Sequence, residues 1–229
     1  MTKRTALTRD RIVLAAVSVA DRGGLSGVSM RTVGRELGVE AMSLYHHIAG
    51  KDDLIDELAD WVFTRIEMPT PDQPWRLAMI GKATSARSVL AQHPWALGLI
   101  ESRRNPGPAL LRHHDAMLGC LRGNGFPVVL ATHAFSAVDA YVFGFVLSEL
   151  NLPMEPGESA EEFVQGIGLL TEAYPHLAEM LAEQVIGQGF SYADEFDYGL
   201  ELILDGLEER LGRSAAEDVD RTVVPQPTG

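Results

Sequence analysis

The chain has 229 residues, of which 46% are hydrophobic and 22% charged, and its formal net charge is −13. This composition is typical of a globular protein, and the length allows one large or two small domains with a substantial core. The single cysteine, Cys120, excludes an intramolecular disulfide framework and a metal site built from several cysteines. It suits a reducing compartment, and the segment from Ile12 is amphipathic, so we expect a cytoplasmic protein without a signal peptide.

The charge is divided unevenly along the chain. Residues 1–51 hold 8 basic and 4 acidic side chains, a net +4, whereas residues 52–229 hold 11 basic and 28 acidic ones, a net −17. A basic N-terminal segment on an acidic remainder predicts a polyanionic partner for that segment alone. A solvated surface without such a partner is the alternative that charge leaves open.

Helices are predicted from the N-terminus onward, because apolar residues recur at helical spacing and alternating strand patterns are absent. Thr8 and Ser29 are predicted N-caps, and Gly38 is a predicted C-terminal breaker. Helix 1 follows Thr8 and ends at 23–24, helix 2 lies between Ser29 and Gly38, helix 3 spans 41–48, and helix 4 runs from Gly50 toward Glu67.

A proline-bearing stretch at 69–74 predicts a linker between two modules. We expect an all-α fold with an N-terminal domain over 1–66, a larger helical domain over 67–212, and a disordered polar tail over 213–229. Helices of the second domain are predicted near 75–91, 95–103, 107–122, 127–151, 159–173, 176–187 and 194–212.

One segment of the second domain, Val128–Leu147, is long and apolar enough to suggest a membrane span. His133 and Asp139 lie inside it, and no basic cluster flanks it. A charged group at the centre of a bilayer is costly, so we interpret the segment as a buried helix of a helical core and expect no membrane association.

Residues 29–48 have the layout of a helix-turn-helix, in which a tight turn at Gly38 sets the second helix across the first. The inner faces are apolar, and the outer side of the second helix carries groups that can contact bases and phosphates. A metal site at His46 and His47 is the weaker interpretation, because adjacent residues point in different directions on a helix. The predicted DNA-contacting residues are Arg31, Thr32, Met42, Ser43, Tyr45, His46, His47 and Lys51.

Residues 8–66 resemble the N-terminal domain of TetR-type transcriptional regulators, and the run from Gly38 to Ile48 followed by Lys51 is similar to the tetracycline repressor branch. Residues 125–147 and 199–208 look like the dimer helices of that branch. The resemblance implies a homodimer with three-helix DNA-binding heads and helical bodies that bind a small molecule and form the dimer. It also implies a repressor released from palindromic double-stranded DNA by that molecule.

The sequence departs from that branch at two places. Ala41 and Met42 stand where the repressor has a polar residue and a proline, so we expect a different operator. Glu67 replaces a histidine of the tetracycline–magnesium site, and the loop that supplies other groups of that site is rewritten around 103–106. We therefore expect no metal or other cofactor, and an effector that is bulky and largely apolar.

A ligand cavity is expected among the apolar helices of the second domain. Asp139, inside an apolar helix, needs a partner, which could be a cation in the ligand or a histidine such as His113 or His133. The predicted ligand-binding residues are Trp61, Trp95, His113, Met117, Thr132, Phe135, Ser136 and Asp139. Two apolar stripes that suit either a monomer core or a dimer interface supply the predicted dimer residues Tyr141, Phe145, Leu200, Ile203, Leu204 and Leu207.

The sequence carries no phosphate-cradling glycine loop, no His-Glu-x-x-His and no nucleophile elbow, so we expect no catalytic residues. The alternative to a DNA-binding regulator is a helical adaptor whose surface around Tyr45 and His46 binds protein. Binding to duplex DNA that weakens steeply with salt would separate the two, because phosphate contacts release counterions.

Overall fold

The structure, a computed structural model, describes residues 6–100, 107–153, 158–166 and 173–222. These residues form helices joined by short turns and contain no strand, which confirms the all-α prediction. The helices are α1 Arg9–Gly23, α2 Met30–Leu37, α3 Ala41–Leu44, α4 Lys51–Phe63, α5 Trp75–Gln92, α6 Leu97–Ile100, α7 Pro108–Gly123, α8 Val128–Leu150, α9 Ala160–Gly166, α10 Pro175–Met180 and α11 Glu195–Thr222.

Capping groups in the sequence set the helix ends of the N-terminal module. The Thr8 hydroxyl accepts a hydrogen bond from the backbone N–H of Arg11 at 3.3 Å, as predicted for the N-cap of α1. At α2, Ser29 Oγ accepts from Thr32 N at 3.1 Å and Thr32 Oγ1 accepts from Ser29 N at 2.9 Å, which makes a capping box. Gly38 ends α2 with φ 67°, a left-handed conformation that glycine adopts without a Cβ penalty.

The first four helices share one apolar core. Helix α1 packs against α2 and α4, and α2 packs against α3. The second half of α4 also contacts α7, so this helix belongs to both modules. Side chains of the N-terminal core with at most 1% exposure include Ile12, Ala16, Val33, Leu44, Ile48, Leu54 and Leu58.

Helix α8 lies at the centre of the second module and packs against α5, α7 and α11. Within the described ranges it is the one helix long and apolar enough to cross a membrane. Its side chains Ala131, Ala134, Val138 and Val142 are fully buried in the protein core, in agreement with the predicted core helix.

Predicted boundaries differ from the structure at α3 and at α6. Helix α3 ends at Leu44, and residues 45–47 form a turn in which Leu44 O accepts from the N–H groups of His47 and Ile48. The helix predicted near 95–103 is a 3₁₀ turn, Pro94–Ala96, followed by α6, and residues 101–103 lie outside the described residues. Residues 167–172 of the helix predicted at 159–173 also lie outside them.

The final helix corrects the predicted tail. Helix α11 continues to Thr222, ten residues beyond the expected end at 212, so the disorder predicted from residue 213 is wrong for 213–222. This stretch contains two alanines and charges of both signs, and extending an existing helix adds one hydrogen bond per residue without a new nucleus. The remaining tail, 223–229, lies outside the described residues.

Candidate nucleic-acid interface and ligand cavity

Residues 41–48, here called the recognition segment, present one side to solvent and one to the core. Its side chains Leu44 and Ile48 are buried in the apolar core, and α3 packs against α2. The outer side combines a thioether, a phenol and imidazoles, which can contact base edges and phosphates in a DNA groove. Met42 (73% exposed), Tyr45 (47%) and His46 are exposed, and Ser43 and His47 are half-buried.

Arg9 ties the end of the recognition segment to α4, a role that the sequence did not reveal. Its guanidinium donates to His47 O at 3.2 Å, to Asp53 Oδ1 at 3.0 Å and to Glu57 Oε1 at 2.7 Å. Asp53 also accepts from the N–H of Ala49 at 2.9 Å. Hydrogen bonding to Glu57 is the largest influence that raises the pKa of Arg9, so the brace stays ionised. The segment and the first turns of α4 are thereby linked through charge-assisted bonds.

Helix α2 approaches the turn closely at Gly34. A Cβ at this position would lie 3.0 Å from Val39 O and 3.2 Å from Ala41 N, so only glycine allows the helix and the turn to pack at this distance. The Thr32 hydroxyl, predicted to contact DNA, donates to Gly27 O at 2.8 Å in addition to its role in the capping box. Its hydroxyl is therefore already used to hold α2.

Two basic side chains flank the recognition segment. Arg31 lies in the first turn of α2 and Lys51 begins α4, and both are exposed. Within the described ranges neither makes an ion pair, which leaves both available for phosphate contacts on either side of the segment.

A cavity lies between α4, α5, α7 and α8. The side chains that line it border about 300 Å³ that no protein atom occupies. The centre of a water molecule fits in only about 10 Å³ of this space. As it stands it holds about one water. Four of the predicted ligand-binding residues, His113, Met117, Phe135 and Asp139, line it together. The lining residues that the sequence did not predict are Phe63, Ile66, Lys82, Ala86, His114 and Phe143.

The carboxylate of Asp139 is paired with the ammonium of Lys82, across the interface between α8 and α5. Their side chains are 16% and 7% exposed. The histidine partners expected for Asp139 are wrong: His133 is exposed, and the Nε2 of His113 bonds a backbone carbonyl. The sequence did indicate that Lys82 faces inward, because it lies one helical turn from two alanines of α5 that are buried.

The wall of the cavity is bonded directly to the end of α4. His113 Nε2, on α7, lies 2.6 Å from the backbone oxygen of Phe63, the last residue of α4. Asp60 Oδ1 accepts from the N–H of Ala109 at 2.5 Å and so caps the first turn of α7. At the other end of the head, Asp21 Oδ1 lies 2.6 Å from Trp95 Nε1, which anchors α1 to the second module.

Four predicted ligand residues do not line this cavity, and their contact with a ligand stays a prediction. Trp95 is committed to Asp21, and Trp61 lines a separate groove between α1 and α4. Thr132 and Ser136 are exposed on the outer side of α8. Adjacent residues differ by about 100° around a helix, so Ser136 is turned away from the side on which its neighbour Phe135 reaches the cavity.

Four predicted dimer residues are buried inside the protomer, and their place in a dimer interface stays a prediction. They are Phe145 (8% exposed), Leu200 (1%), Leu204 (0%) and Leu207 (6%). Tyr141 and Ile203 are half-buried, and Tyr141 donates to the backbone oxygens of 195 and 196. Since α8 is apolar on all sides, its sequence could not distinguish the inner face from the outer one. The exposed apolar residues of α8 and α11 are Val128, Val129, Leu147, Leu150, Tyr198 and Leu202.

Both modules match known protein families. Residues 12–58 match the family described as bacterial regulatory proteins, tetR family. Residues 68–211 match the tetracyclin repressor-like C-terminal domain. These matches cover the head with its recognition segment and the module that holds the cavity.

Individual relatives extend over nearly the whole chain. The HTH-type transcriptional repressor DrrR1 of Streptomyces coeruleorubidus is 36% identical over 91% of this chain and 82% of the relative. The class C tetracycline repressor protein of Escherichia coli is 29% identical over 89% of this chain and 91% of the relative. The structure of ActR from Streptomyces coelicolor in complex with actinorhodin superposes with a TM-score of 0.71 at 27% identity, covering 91% of this chain and all of that one.

Proposed function

The chain belongs to the TetR family of bacterial regulatory proteins, and we propose that it represses transcription as a homodimer on a palindromic operator until a small molecule enters its cavity. Members of this family named among its relatives are transcriptional regulators, and ActR binds a small molecule. The chain is thus a DNA-binding regulator that responds to a ligand. The adaptor alternative and an enzymatic role have no comparable support. The DNA-binding role supports a cytoplasmic location.

The observation that carries the proposal is the bonded path from the cavity to the head. His113 on the cavity wall is bonded to Phe63 at the end of α4, and Asp60 of α4 caps α7. At the opposite end of α4, Arg9 joins Asp53 and Glu57 to the recognition segment. A displacement of α7 is therefore passed to the recognition segment through one continuous helix.

The small size of the cavity supports the response to a ligand. The centre of a water molecule fits in only about 10 Å³ of the cavity. An effector larger than a few atoms therefore enters only if the surrounding helices separate. A ligand that binds the separated arrangement more tightly shifts the equilibrium toward it. The resulting coupling between cavity and operator is expected to be about 1–3 kcal/mol, a change in DNA affinity of roughly 5–150-fold.

The outer face of α8 and α11 supports a homodimer. Val129 and Leu147 on α8 and Leu202 on α11 are 68%, 55% and 58% exposed. Small residues of α8, Ala140 and Gly144, lie exposed among them and permit close approach of a second copy. Two such helices from each protomer would make a four-helix bundle with twofold symmetry. Leu202→Glu should then convert the dimer to a monomer in sedimentation equilibrium, whereas Leu177→Glu, at an exposed site of α10, should leave it intact.

Selection of duplexes from a randomised library tests the function. A twofold-symmetric sequence should be enriched, with half-sites about one helical turn or a multiple of it apart. Tyr45→Ala should weaken binding to the selected duplex by roughly tenfold, while Tyr174→Ala, at an exposed tyrosine of the second module, should not. Enrichment of no duplex, or of sequences without symmetry, would refute the proposal.

A further inference from the structure

A residue that lines the cavity, His113, carries a buried nitrogen without a hydrogen-bond partner. His113 is 5% exposed, and its Nε2 lies 2.6 Å from the backbone oxygen of Phe63. Because a carbonyl oxygen only accepts, Nε2 carries the hydrogen, and Nδ1 of the neutral ring is left with a lone pair. Among the described residues this Nδ1 and the Nε1 of Trp61, which lies outside the cavity, are the buried side-chain nitrogens that nothing satisfies. A buried acceptor without a donor is costly, so a donor from a ligand is favoured there.

The ring of His113 is neutral at physiological pH. Burial lowers the pKa of His113 and outweighs the hydrogen bond to Phe63 O, which raises it. Burial also lowers the pKa of His114, the next residue on the cavity wall. The cavity therefore presents an imidazole acceptor rather than an imidazolium donor.

Aromatic rings form much of the remaining wall. Phe63, Phe135 and Phe143 line the cavity, and the ring of His114 meets Phe135 edge-on with centroids 4.5 Å apart at 77°. Offset and edge-to-face contacts of this kind favour a flat aromatic occupant.

The charges at the cavity are already balanced. Lys82 and Asp139 pair with each other, and both are largely buried. A charged ligand would have to separate this pair or leave its own charge uncompensated in a poorly hydrated site, and both are costly. A neutral ligand meets neither cost.

We propose that the effector is a neutral aromatic molecule whose hydroxyl group donates a hydrogen bond to His113 Nδ1. This inference rests on the proposed function, because it assigns the ligand class of the cavity through which the regulator responds. It replaces the possibility of a cationic ligand at Asp139, since that carboxylate is paired with Lys82. In this arrangement the ligand hydroxyl contacts the imidazole of His113, the same ring that bonds the end of α4. The ligand therefore acts directly on the contacts that join the cavity to the head.

Calorimetric titration of the full chain with four naphthalene probes tests the assignment. The probes are 2-naphthol, 2-methoxynaphthalene, 2-naphthoate and a 2-naphthyl trimethylammonium salt. 2-Naphthol should bind roughly tenfold more tightly than the methoxy compound, which has no donor, and both should bind more tightly than the charged probes. His113→Phe should reduce 2-naphthol to the affinity of 2-methoxynaphthalene. The matched variant His114→Phe, on the same wall, should retain the tenfold preference.

A second measurement on the unaltered chain covers the case in which His113→Phe does not fold. The ¹⁵N chemical shifts of the His113 ring should identify the Nε2–H tautomer and should change at Nδ1 on addition of 2-naphthol but not of 2-methoxynaphthalene. Equal binding of the two neutral probes, tighter binding of a charged probe, no binding of any probe, or no change at Nδ1 would overturn the proposal. Operator binding is measured separately on duplex DNA. Failure of the probe experiments therefore does not refute the proposed DNA-binding function, and failure to bind an operator does not change what the probes show about the cavity.

Discussion

Replacing Lys82 with methionine should destabilise the fold more strongly than removing a surface charge. The change keeps the volume of the side chain but leaves the Asp139 carboxylate, 16% exposed, without its ammonium partner, which is 7% exposed. Removing one partner of a buried ion pair costs about 3–5 kcal/mol, because the remaining charge stays desolvated. Because Asp139 remains partly exposed, we expect the free energy of unfolding to fall by an amount near the lower end of this range, about 3 kcal/mol.

The double variant Lys82→Met/Asp139→Leu removes both charges and should regain most of this loss, to within about 1 kcal/mol of the original chain. The control is Arg22→Met, which breaks the Arg22–Glu36 pair at 2.6 Å, where the side chains are 60% and 35% exposed; it should cost less than about 1 kcal/mol. Urea unfolding followed by helical circular dichroism, at one fixed protomer concentration, measures all four proteins. The reasoning fails if Lys82→Met costs no more than Arg22→Met, or if the double variant is no more stable than Lys82→Met.

Three further outcomes are expected. Gly34→Ala should lower the free energy of unfolding in urea by about 1–3 kcal/mol and weaken operator binding, because its Cβ meets Val39 O at 3.0 Å. The control Gly119→Ala, in open space within α7, should be neutral or stabilising. Equal effects of the two changes would contradict the close packing at Gly34. Lys51→Ala should reduce the slope of log affinity against log salt by about 1, and an unchanged slope would exclude a phosphate contact. Burial lowers the pKa of His113 in the folded chain, so the unfolded chain binds the proton first, and stability should be complete above about pH 6.5 and fall as the pH drops toward the folded-state pKa. His113→Phe should flatten this fall, measured as urea midpoints against pH.

Much of the N-terminal module could be predicted because its signals are local. The caps at Thr8 and Ser29 act on N–H groups three residues away, and Gly38 is required at a single backbone position with positive φ. Each signal involves neighbouring residues only, so it can be recognised without the rest of the fold. The brace from Arg9 to Glu57 escaped prediction because it joins residues 48 positions apart.

In the second module, helical periodicity and the resemblance to a known family were enough to predict the helices and the existence of a cavity. They were not enough to predict which residues line that cavity. Helix α8 is apolar on nearly every side, so periodicity could not tell which of its faces meets α5 and α7 and which meets solvent. For that reason Thr132 and Ser136 were placed in the cavity and are in fact exposed, while Phe145 was placed in the dimer interface and is buried.

The all-α class, the position of the recognition segment and the net positive charge of residues 1–51 can be predicted from the chain alone, because each depends on residue type and short-range spacing. The pairing of Lys82 with Asp139 and the bond from His113 to the end of α4 become visible only in the folded protein. Those contacts join residues 57 and 50 positions apart. They depend on how whole helices rotate and pack, which is set by the sum of many weak contacts rather than by any local pattern.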